Sequence, residues 1–392
     1  MIRITSIIFS CFLCGCLSVK QSQPEFSNCP IDSEYAFIDI HRDYRSCLEK
    51  YAIYNGKTYL LDGHKYGYEN VQYLEFSRFR KPSVSNEIYQ HKAIDLHYYG
   101  IPCPIDFKLF KNLEYLRLRD IQEIPKQVFE LENLKVLFLD SKNLKEIPDN
   151  LVQLKNLEVL EIYPADGVEK MTDRIGELTE LKILSLSRFY SIESFHIDFS
   201  KLVKLKRLDV WDNNAVIIDS SIANCKELQY MEVRNYNRVF TSLPKLRILA
   251  LNEVDSEDEI SNLDKISGLE ELYVHYYKPN VIAKSIQDLP NLKNLGIGFV
   301  GELNVNMGIS RLSKLKFLSI HCDNLFELPK FKMPNLIYLN IVDTQNRNGI
   351  SSVRNLENYP NLKYLRLIIA DNRSGLDFEK SKLKTRTKFI GS

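Results

Sequence analysis

The residue types that most often carry catalysis or bind metals form no recognisable constellation in this sequence. The motifs H-E-x-x-H and G-x-S-x-G, which mark a zinc protease and an activated serine, do not occur. Gly56-Lys57-Thr58 matches the end of a phosphate-binding loop, but Tyr51 stands where the first glycine is required. The spacing of the histidines matches no paired zinc ligands. They are His41, His64, His91, His97, His196, His275 and His321.

The acidic run from Asp255 to Glu259 has oxygen ligands that suit Ca²⁺, but we favour a charged turn without a ligand. We therefore predict no catalytic residue, no metal site and no cofactor, and we predict that the chain is not an enzyme. About 55 residues lie between the predicted signal peptide and the repeats described below, which is too few for an added catalytic domain.

The composition narrows the class of protein further. The chain has 392 residues, of which 44% are hydrophobic, so it can bury a core. Its 52 Lys and Arg residues balance 51 Asp and Glu residues, which gives a formal net charge of +1. A nucleic-acid-binding protein needs a basic surface to meet the phosphates, so nucleic acid is not an expected partner.

The first residues have the character of an export signal. Arg3 precedes an apolar stretch from Ile4 to Leu13 that is too short to span a bilayer. The segment Leu13-Cys14-Gly15-Cys16 resembles the lipobox of bacterial lipoproteins. This resemblance implies cleavage after residue 15 and a lipid on Cys16, and Leu17 favours the outer membrane or cell surface over the inner membrane. The alternative is an ordinary signal peptide that is cut elsewhere.

An apolar-x-x-apolar-x-apolar pattern recurs fourteen times, with a mean spacing of about 22 residues. Examples are LEYLRL from Leu113, LKVLFL from Leu134 and LKILSL from Leu181, and degraded copies start at Val71 and Ala93. Alternation at the fourth and sixth positions predicts a short strand with one face inward, and each coil must stack on its neighbours to bury that face.

The pattern resembles the LPxxI type of leucine-rich repeat. It implies an α/β leucine-rich-repeat solenoid, a curved horseshoe with a concave parallel β-sheet and short helical, 3-10 or irregular convex segments. The family usually has Asn at the ninth repeat position, but among the aligned copies only Asn213 occupies it. We assign residues 71–383 to about 14 repeats.

The regions around the repeats are assigned as follows. Residues 1–15 are predicted to be the signal peptide, 16–28 the lipidated cysteine and a tether, and 29–70 an N-terminal cap. A disulfide between Cys29 and Cys47 would stabilise the cap in an oxidising compartment, and two buried free thiols are the alternative. Residues 384–392 are predicted to be a basic, solvated tail. Cys103, Cys225 and Cys322 lie five coils apart, beyond disulfide reach, and the first two occupy core positions.

A partner would bind where the third, fifth, seventh and eighth repeat positions line the concave face. The residues there combine aromatic and charged side chains of the kinds that dominate protein interfaces. Our candidates are Glu161, Tyr163, Arg188, Arg207, Asp209, Trp211, Tyr230, Glu232, Arg234, Tyr273 and His275. These positions predict a non-catalytic, monomeric protein that recognises a protein partner. The aromatic residues also fit glycan binding, and they could instead merely cover one another.

Overall fold

A computed structural model describes residues 52–54, 57–59 and 72–76, and then residues 86–302 with gaps at 99–102, 104, 165–166, 211–212, 214, 235 and 280–281. It also describes 308–323, 332–343, 352–353, 356–369, 377–378 and 388–390. The chain divides into two compact units, Met1–Glu69 and Asn70–Ser392. In the first unit, strands β1 (Ala52–Tyr54) and β2 (Lys57–Tyr59) pair antiparallel.

The second unit is built on one parallel β-sheet, to which the described residues contribute fifteen strands. The order of the strands in this main sheet follows their order in the chain, because each coil places one strand beside that of the preceding coil. This is the topology that the repeat pattern predicts. The strands are β3 (Gln72–Phe76), β4 (Ala93–Tyr98), β5 (Tyr115–Arg119), β6 (Val136–Asp140), β8 (Val159–Tyr163), β10 (Ile183–Leu186), β12 (Arg207–Asp209), β14 (Tyr230–Val233), β15 (Ile248–Val254), β16 (Glu271–Tyr277), β17 (Asn294–Glu302), β18 (Phe317–Asp323), β19 (Tyr338–Asp343), β21 (Tyr364–Ile369) and β23 (Lys388–Ile390).

Short elements complete the coils beyond the main sheet. Three two-stranded parallel pairs join β7 (Glu146–Ile147) to β9 (Lys170–Met171), β11 (Phe195–His196) to β13 (Val216–Ile217), and β20 (Ser352–Val353) to β22 (Asp377–Phe378). Among the described residues, an α-helix spans Lys284–Gln287. The 3-10 helices of the described residues are Asn86–Gln90, Phe107–Leu109, Lys126–Glu130, Asp149–Gln153, Arg174–Glu177, Phe199–Lys201, Ser220–Asn224, Arg238–Ser242, Glu257–Ile260, Leu263–Lys265, Ile309–Arg311 and Leu356–Asn358.

The core runs through the stacked coils as continuous rows of aliphatic side chains. Leu116, Leu137 and Leu160 pair in register on neighbouring strands, and all three are completely buried. Burying one such side chain contributes about 1.5–3 kcal/mol, which a single coil cannot realise alone. The repeat therefore folds only as a stack.

The first two strands of the sheet correct the alignment of the degraded repeats. Ile94 pairs with Leu116 and Asp95 pairs with Arg117, so the copies that start at Val71 and Ala93 are two residues out of phase with the others. Ala93 matches the first apolar position of the pattern only because alanine is apolar. The side chains that fill the fourth and sixth positions of this coil are the buried Ile94 and Leu96. Asp95 therefore lies on the side of the sheet away from the core cluster.

Asparagine ladders hold adjacent coils together, but mostly at another position than the family pattern implies. Asn213 donates from Nδ2 to the carbonyl of Leu186 (2.9 Å) and accepts from the N–H of Ala215 (2.9 Å), as expected at the ninth position. Elsewhere the residue before the first leucine bonds a backbone carbonyl of the preceding coil. These residues are Asn133, Asn156, Asn291, Asn335 and Asn361.

The structure describes part of the predicted C-terminal tail but not the cysteines predicted to act near the N-terminus. Strand β23 pairs in parallel with β21, so Lys388–Ile390 belong to the main sheet, whereas we expected a solvated tail over 384–392. The lipidation residue Cys16 and the pair Cys29 and Cys47 lie outside the described residues.

Candidate functional site

The candidate site is the face of the main sheet that points away from the core, which we call the outer sheet face. It carries the third, fifth and seventh repeat positions, because successive residues of a strand alternate between the two faces. Many of its side chains are buried although they lie outside the core cluster, since they pack against side chains of neighbouring coils.

The predicted site residues separate into covered and exposed groups on this face. Glu161, Asp209 and Glu232 are only 2%, 6% and 3% exposed, and the rings of Tyr230 and Tyr273 are also buried. For these five residues the expectation of an exposed contact surface is wrong, because side chains of adjacent coils cover them. Tyr163, Arg207 and His275 are half-buried, whereas Arg188 and Arg234 are exposed. Trp211 lies outside the described residues.

A hydrogen-bonded network joins the covered group at the centre of the face. The Tyr230 hydroxyl donates to Oε2 of Glu232 (2.6 Å), and Arg207 Nη2 lies 3.3 Å from Asp209 Oδ2. The Arg207 guanidinium also stacks over the ring of Tyr230, 4.3 Å from its centroid. Strand register explains these contacts, since Arg207 is paired with Tyr230 and Asp209 with Glu232. The network thereby fixes the orientation of Arg207.

The network extends to both sides of Arg207. The Tyr163 hydroxyl lies 3.1 Å from Ser185 Oγ and donates to Oε2 of Glu161 at 3.5 Å. On the other side, His275 Nε2 lies 3.8 Å from Glu232 Oε1. The charge of Glu161 and the Tyr163 hydroxyl act electrostatically on Arg207, which joins the two sides. Seven of the predicted site residues therefore form one arrangement from β8 to β16.

Burial and charge together set the protonation of this centre. Burial raises the pKa of the Tyr163 and Tyr230 hydroxyls well above the usual value, and the neighbouring carboxylates Glu161 and Glu232 raise it further. Burial alone would lower the pKa of Arg207, but Tyr230, Asp209 and Glu161 outweigh it and raise that pKa. Both tyrosines therefore stay neutral hydrogen-bond donors, and Arg207 stays charged.

The exposed members lie at the carboxyl ends of the strands. Arg188 follows β10, and Arg234 follows β14 and forms an ion pair with Glu253 (3.3 Å). Lys278 joins the same group through Glu253 (3.4 Å) and Asp255. A partner would meet these side chains before it met the covered centre.

Sequence reasoning missed a second charged network on β4, β5 and β6. Arg119 binds Asp95, and Arg117 binds Asp140 (2.6 Å) while its guanidinium stacks over the ring of Phe138 at 4.7 Å. The Phe138 ring stacks in turn on Tyr163, with centroids 5.4 Å apart. The signal was available, because these residues occupy the same fifth and seventh repeat positions as the predicted group.

The outer face of the later strands has a different character. At the fifth position β15, β17, β18 and β19 carry Ala250, Gly296, Ser319 and Asn340, and the Asn340 amide donates to Ser319 Oγ (2.8 Å). Register shifts occur on both sides of β17. A Cβ on Gly298 would lie 2.2 Å from the His275 carbonyl oxygen, so glycine is required there.

The same strand contains the letters of a dinucleotide-binding motif, G-x-G-x-x-G, at Gly296, Gly298 and Gly301. Sequence reasoning missed this match. In that motif the glycines form the turn between a strand and a helix, where the helix N-terminus meets the phosphates. Here all three glycines lie within the single strand β17, so the match does not create a nucleotide site.

The described residues also contain a cleft and three free cysteines. A cleft of about 440 Å³ is lined by the short strands β7, β9 and β11 rather than by the main sheet. Cys225 is buried, which raises the pKa of its thiol to about 12, and Cys103 is half-buried. Neither forms a disulfide, and nor does the buried Cys322.

The described part of the chain contains neither a metal-binding cluster nor a helix that could span a membrane. No group of three or more His, Cys, Asp or Glu residues there has the geometry to hold a metal ion. None of the helices in that part combines the length and apolar character that crossing a membrane requires.

Comparison with known families decides the classification. The model of the family described as "Leucine-rich repeat region" matches residues 106–211 and 172–389, which is more than half of the chain. The chain belongs to this leucine-rich-repeat family. The matching family describes a repeat region and does not indicate an enzyme.

Solved structures resemble this leucine-rich-repeat protein at low sequence identity. A leucine-rich-repeat protein of Leptospira interrogans is 19% identical with a TM-score of 0.48, and the match covers 78% of this chain and 91% of that one. An internalin (InlF) of Listeria monocytogenes is 17% identical with a TM-score of 0.41, covering 69% and 70%. The functional domain of InlJ from the same organism is 15% identical with a TM-score of 0.45, covering 74% and 63%. A search of curated proteins found no match.

Proposed function

We propose that this protein is a non-catalytic binding protein of a bacterial cell envelope, which recognises a protein partner through the outer sheet face. The observation that carries this proposal is the network around Arg207. Buried carboxylates and tyrosines hold the side chains of several coils in fixed positions next to the exposed Arg188 and Arg234. A surface that is already ordered loses little side-chain entropy when it binds.

A capture experiment tests the proposal. The chain without its first 28 residues is immobilised and exposed to envelope and host-cell extracts, beside the double variant Arg188→Ala/Arg234→Ala and the variant Trp211→Ala. Arg238→Ala is the matched control, since Arg238 is exposed and lies in the 3-10 helix Arg238–Ser242, away from the main sheet. We expect a protein that wild type and control retain and that the double variant loses. Equal capture by all variants would contradict the proposed surface.

Glycan binding is the alternative outcome of the same experiment. The covered rings of Tyr230 and Tyr273 are poorly placed to stack on a sugar, which favours a protein partner. A glycan array on which wild type binds and Trp211→Ala does not would replace the protein partner by a glycan.

We further propose that a lipid on Cys16 anchors the mature chain in the outer membrane or at the cell surface, as a monomer. The lipobox resemblance of Leu13-Cys14-Gly15-Cys16 supports this proposal. Metabolic labelling with an alkyne fatty acid should mark the wild type and leave Cys16→Ser unmarked, while Cys11→Ser provides the control. An unlabelled wild-type chain in the envelope would contradict the anchor.

A further inference from the structure

The short strands beyond the main sheet pair in twos and leave a break between the pairs. Strand β7 pairs with β9 and β11 pairs with β13, but no backbone hydrogen bond in the described residues joins β9 to β11. Both strands nevertheless belong to neighbouring coils, since β8 and β10, which precede them, pair in the main sheet. The cleft of about 440 Å³ lies at this break, because its lining includes residues of both β9 and β11.

The break is confined to this part of the two coils. Before it, Val159 and Ile183 are paired in the main sheet. After it, Gly176 lies so close to the next coil that a Cβ there would be 2.1 Å from the Asp198 carbonyl oxygen. The coils are therefore in contact on both sides of the cleft, and the cleft is a fixed opening between them.

Backbone groups of β9 face this opening. The N–H of Thr172 donates to the Ile147 carbonyl (3.0 Å), toward β7. Because alternate residues of a parallel strand bond to opposite sides, the N–H and C=O of Met171 point toward β11. On β11, however, the N–H of Phe195 donates away from β9, to the Ala215 carbonyl (2.8 Å). An extended segment in the cleft would thus find a free strand edge at Met171.

The cleft also has an excess of negative charge. Its lining contains the carboxylates of Glu146, Asp149 and Asp173, together with the ammonium group of Lys170 and the ring of His196. Lys170 donates to Oε1 of Glu146 (2.7 Å), and His196 contacts a carboxylate outside the lining. Asp149 and Asp173 therefore line the cleft without an ion pair.

The arginine next to these aspartates does not neutralise them. Arg174 lies near enough to interact electrostatically with Asp149 and Asp173, but its guanidinium donates two hydrogen bonds to Glu177 (2.8 and 3.0 Å). A ligand with positive charge would complement the two aspartates.

Asp173 differs from the other aspartates that immediately precede 3-10 helices. Those at 106, 198 and 219 each accept a backbone N–H of their own helix, whereas Asp173 accepts none. Thr172 takes its place, because its Oγ1 accepts the N–H of Arg174 (3.2 Å) and donates to Oδ1 of Asp149 (2.7 Å). The buried Thr172 thereby holds Asp149 in position, and the Asp173 carboxylate is left for another contact.

We propose that the cleft binds an extended segment of another polypeptide that carries lysine or arginine. Its cationic groups pair with Asp149 and Asp173, and its backbone adds hydrogen bonds at the free edge of Met171. Because the two aspartates are exposed, the charge contacts are weakened by salt. This site is separate from the outer sheet face and goes beyond the proposed function.

The test follows the fluorescence anisotropy of a labelled peptide of about ten residues, with alternating lysine and threonine, on the full-length chain. The variant Asp149→Asn/Asp173→Asn should weaken binding about tenfold or more, and its Tm should stay close to that of the wild type, since an amide oxygen can still accept from Thr172. The control Glu257→Gln/Asp258→Asn removes the same charge from an exposed 3-10 helix outside the cleft and should bind as wild type does.

Two further measurements separate the cleft and the strand edge from charge alone. Ser194→Trp fills the cleft at an exposed position and retains every carboxylate, so it should weaken binding without lowering the Tm. The same peptide methylated on alternate backbone nitrogens should bind wild type several-fold more weakly, because it loses hydrogen-bond donors.

Four results would overturn the inference: wild type that does not bind the peptide, normal binding by either cleft variant, binding that is lost in the Glu257/Asp258 control, or equal binding of the methylated peptide. None of these substitutions lies on the outer sheet face, so capture of a partner there should be unaffected.

Discussion

The outer sheet face differs between its earlier strands, β4 to β14, and its later strands, β17 to β19. The earlier strands have three to six residues and carry ion pairs and stacked rings, such as Arg117 over Phe138 and Arg207 over Tyr230. The later strands have six to nine residues and carry small or neutral residues, such as Gly296 and Ser319.

We interpret the difference as two uses of one repeat fold along its length. The inward leucines are the same in both regions, so the core does not explain the change. In the earlier region the outer positions hold charged side chains in fixed orientations. In the later region they let the backbones approach closely, as at Gly298. We therefore propose that recognition takes place in the earlier region and that the later region is structural.

We expect the largest losses of stability where a glycine lies against a neighbouring backbone. One such glycine, Gly176, is in a 3-10 helix of an earlier coil, and another, Gly298, is on β17. Gly176→Ala would place a Cβ 2.1 Å from the Asp198 carbonyl oxygen, and Gly298→Ala would place one 2.2 Å from that of His275. We expect each to lower the free energy of unfolding by about 3–5 kcal/mol in urea denaturation, since backbone must move. Gly268→Ala is the control, with its nearest contact at 3.3 Å, and should cost less than about 1 kcal/mol. Equal stability of all three would show that the coils are looser than described.

The next effect separates the charged region from the neutral one. Arg207→Met removes the cation from among three buried carboxylates, and should lower the free energy of unfolding by about 3 kcal/mol. The difference in the free energy of unfolding between wild type and Arg207→Met should narrow as the pH falls, because the uncompensated carboxylates can then bind protons. Ser319→Ala, which removes a buried hydrogen bond of the later region, should cost about 1 kcal/mol. A smaller loss for Arg207→Met than for Ser319→Ala would reverse the comparison.

A third prediction compares the two kinds of asparagine. Asn213→Ala leaves the buried Leu186 carbonyl and Ala215 N–H without their partner, and should cost about 2 kcal/mol by thermal unfolding. Asn291→Ala removes a bond at an exposed site, where water can replace the amide, and should cost less than about 1 kcal/mol. If Asn291→Ala lowered the stability more than Asn213→Ala, the asparagines before the first leucine would be the main link between coils.

The smallest effect is a pH dependence at an exposed helix cap. Hydrogen bonds from Ser221 and then His196 lower the pKa of Asp219 to about 2. Its contribution is fully present above the unfolded pKa near 4 and is lost as the pH falls through about 2. Screening keeps this contribution below about 1 kcal/mol.

Acid titrations of Asp219→Asn beside Asp198→Asn measure this dependence. Asp198 caps the 3-10 helix of the preceding coil, and its lowered pKa derives first from Ser200. Asp219→Asn should flatten the acid limb of the stability curve more than Asp198→Asn does, because it removes the His196 contact as well. Identical curves would show that the His196 contact has no energetic effect.

Much of the fold followed from the leucines, because their period fixes which residues face the core and hence the order of the strands. The phase of β4 did not follow, since the apolar letter of Ala93 matches the first position of the pattern, whereas its pairing with Tyr115 places it at the third. The close approach at Gly298 was not foreseeable either, because it depends on how neighbouring backbones pack.

The face on which the candidate residues lie followed from the repeat positions, but their exposure did not. Tyr230 and Glu232 lie on the expected face, yet contacts between coils cover them, and a single repeat contains no information on such contacts. Phe138 and Arg117 occupy the same repeat positions and could have been named from the pattern. Trp211 and Cys16 lie outside the described residues and remain predictions.

Hydrogen–deuterium exchange of the chain with and without its captured partner tests the central claim most directly. The account predicts that the partner slows exchange in the segments 159–163, 183–188, 207–209 and 230–234 and leaves β17 to β19 unchanged. Protection confined to β17–β19, or to the 3-10 helices, would contradict the assignment of recognition to the earlier strands.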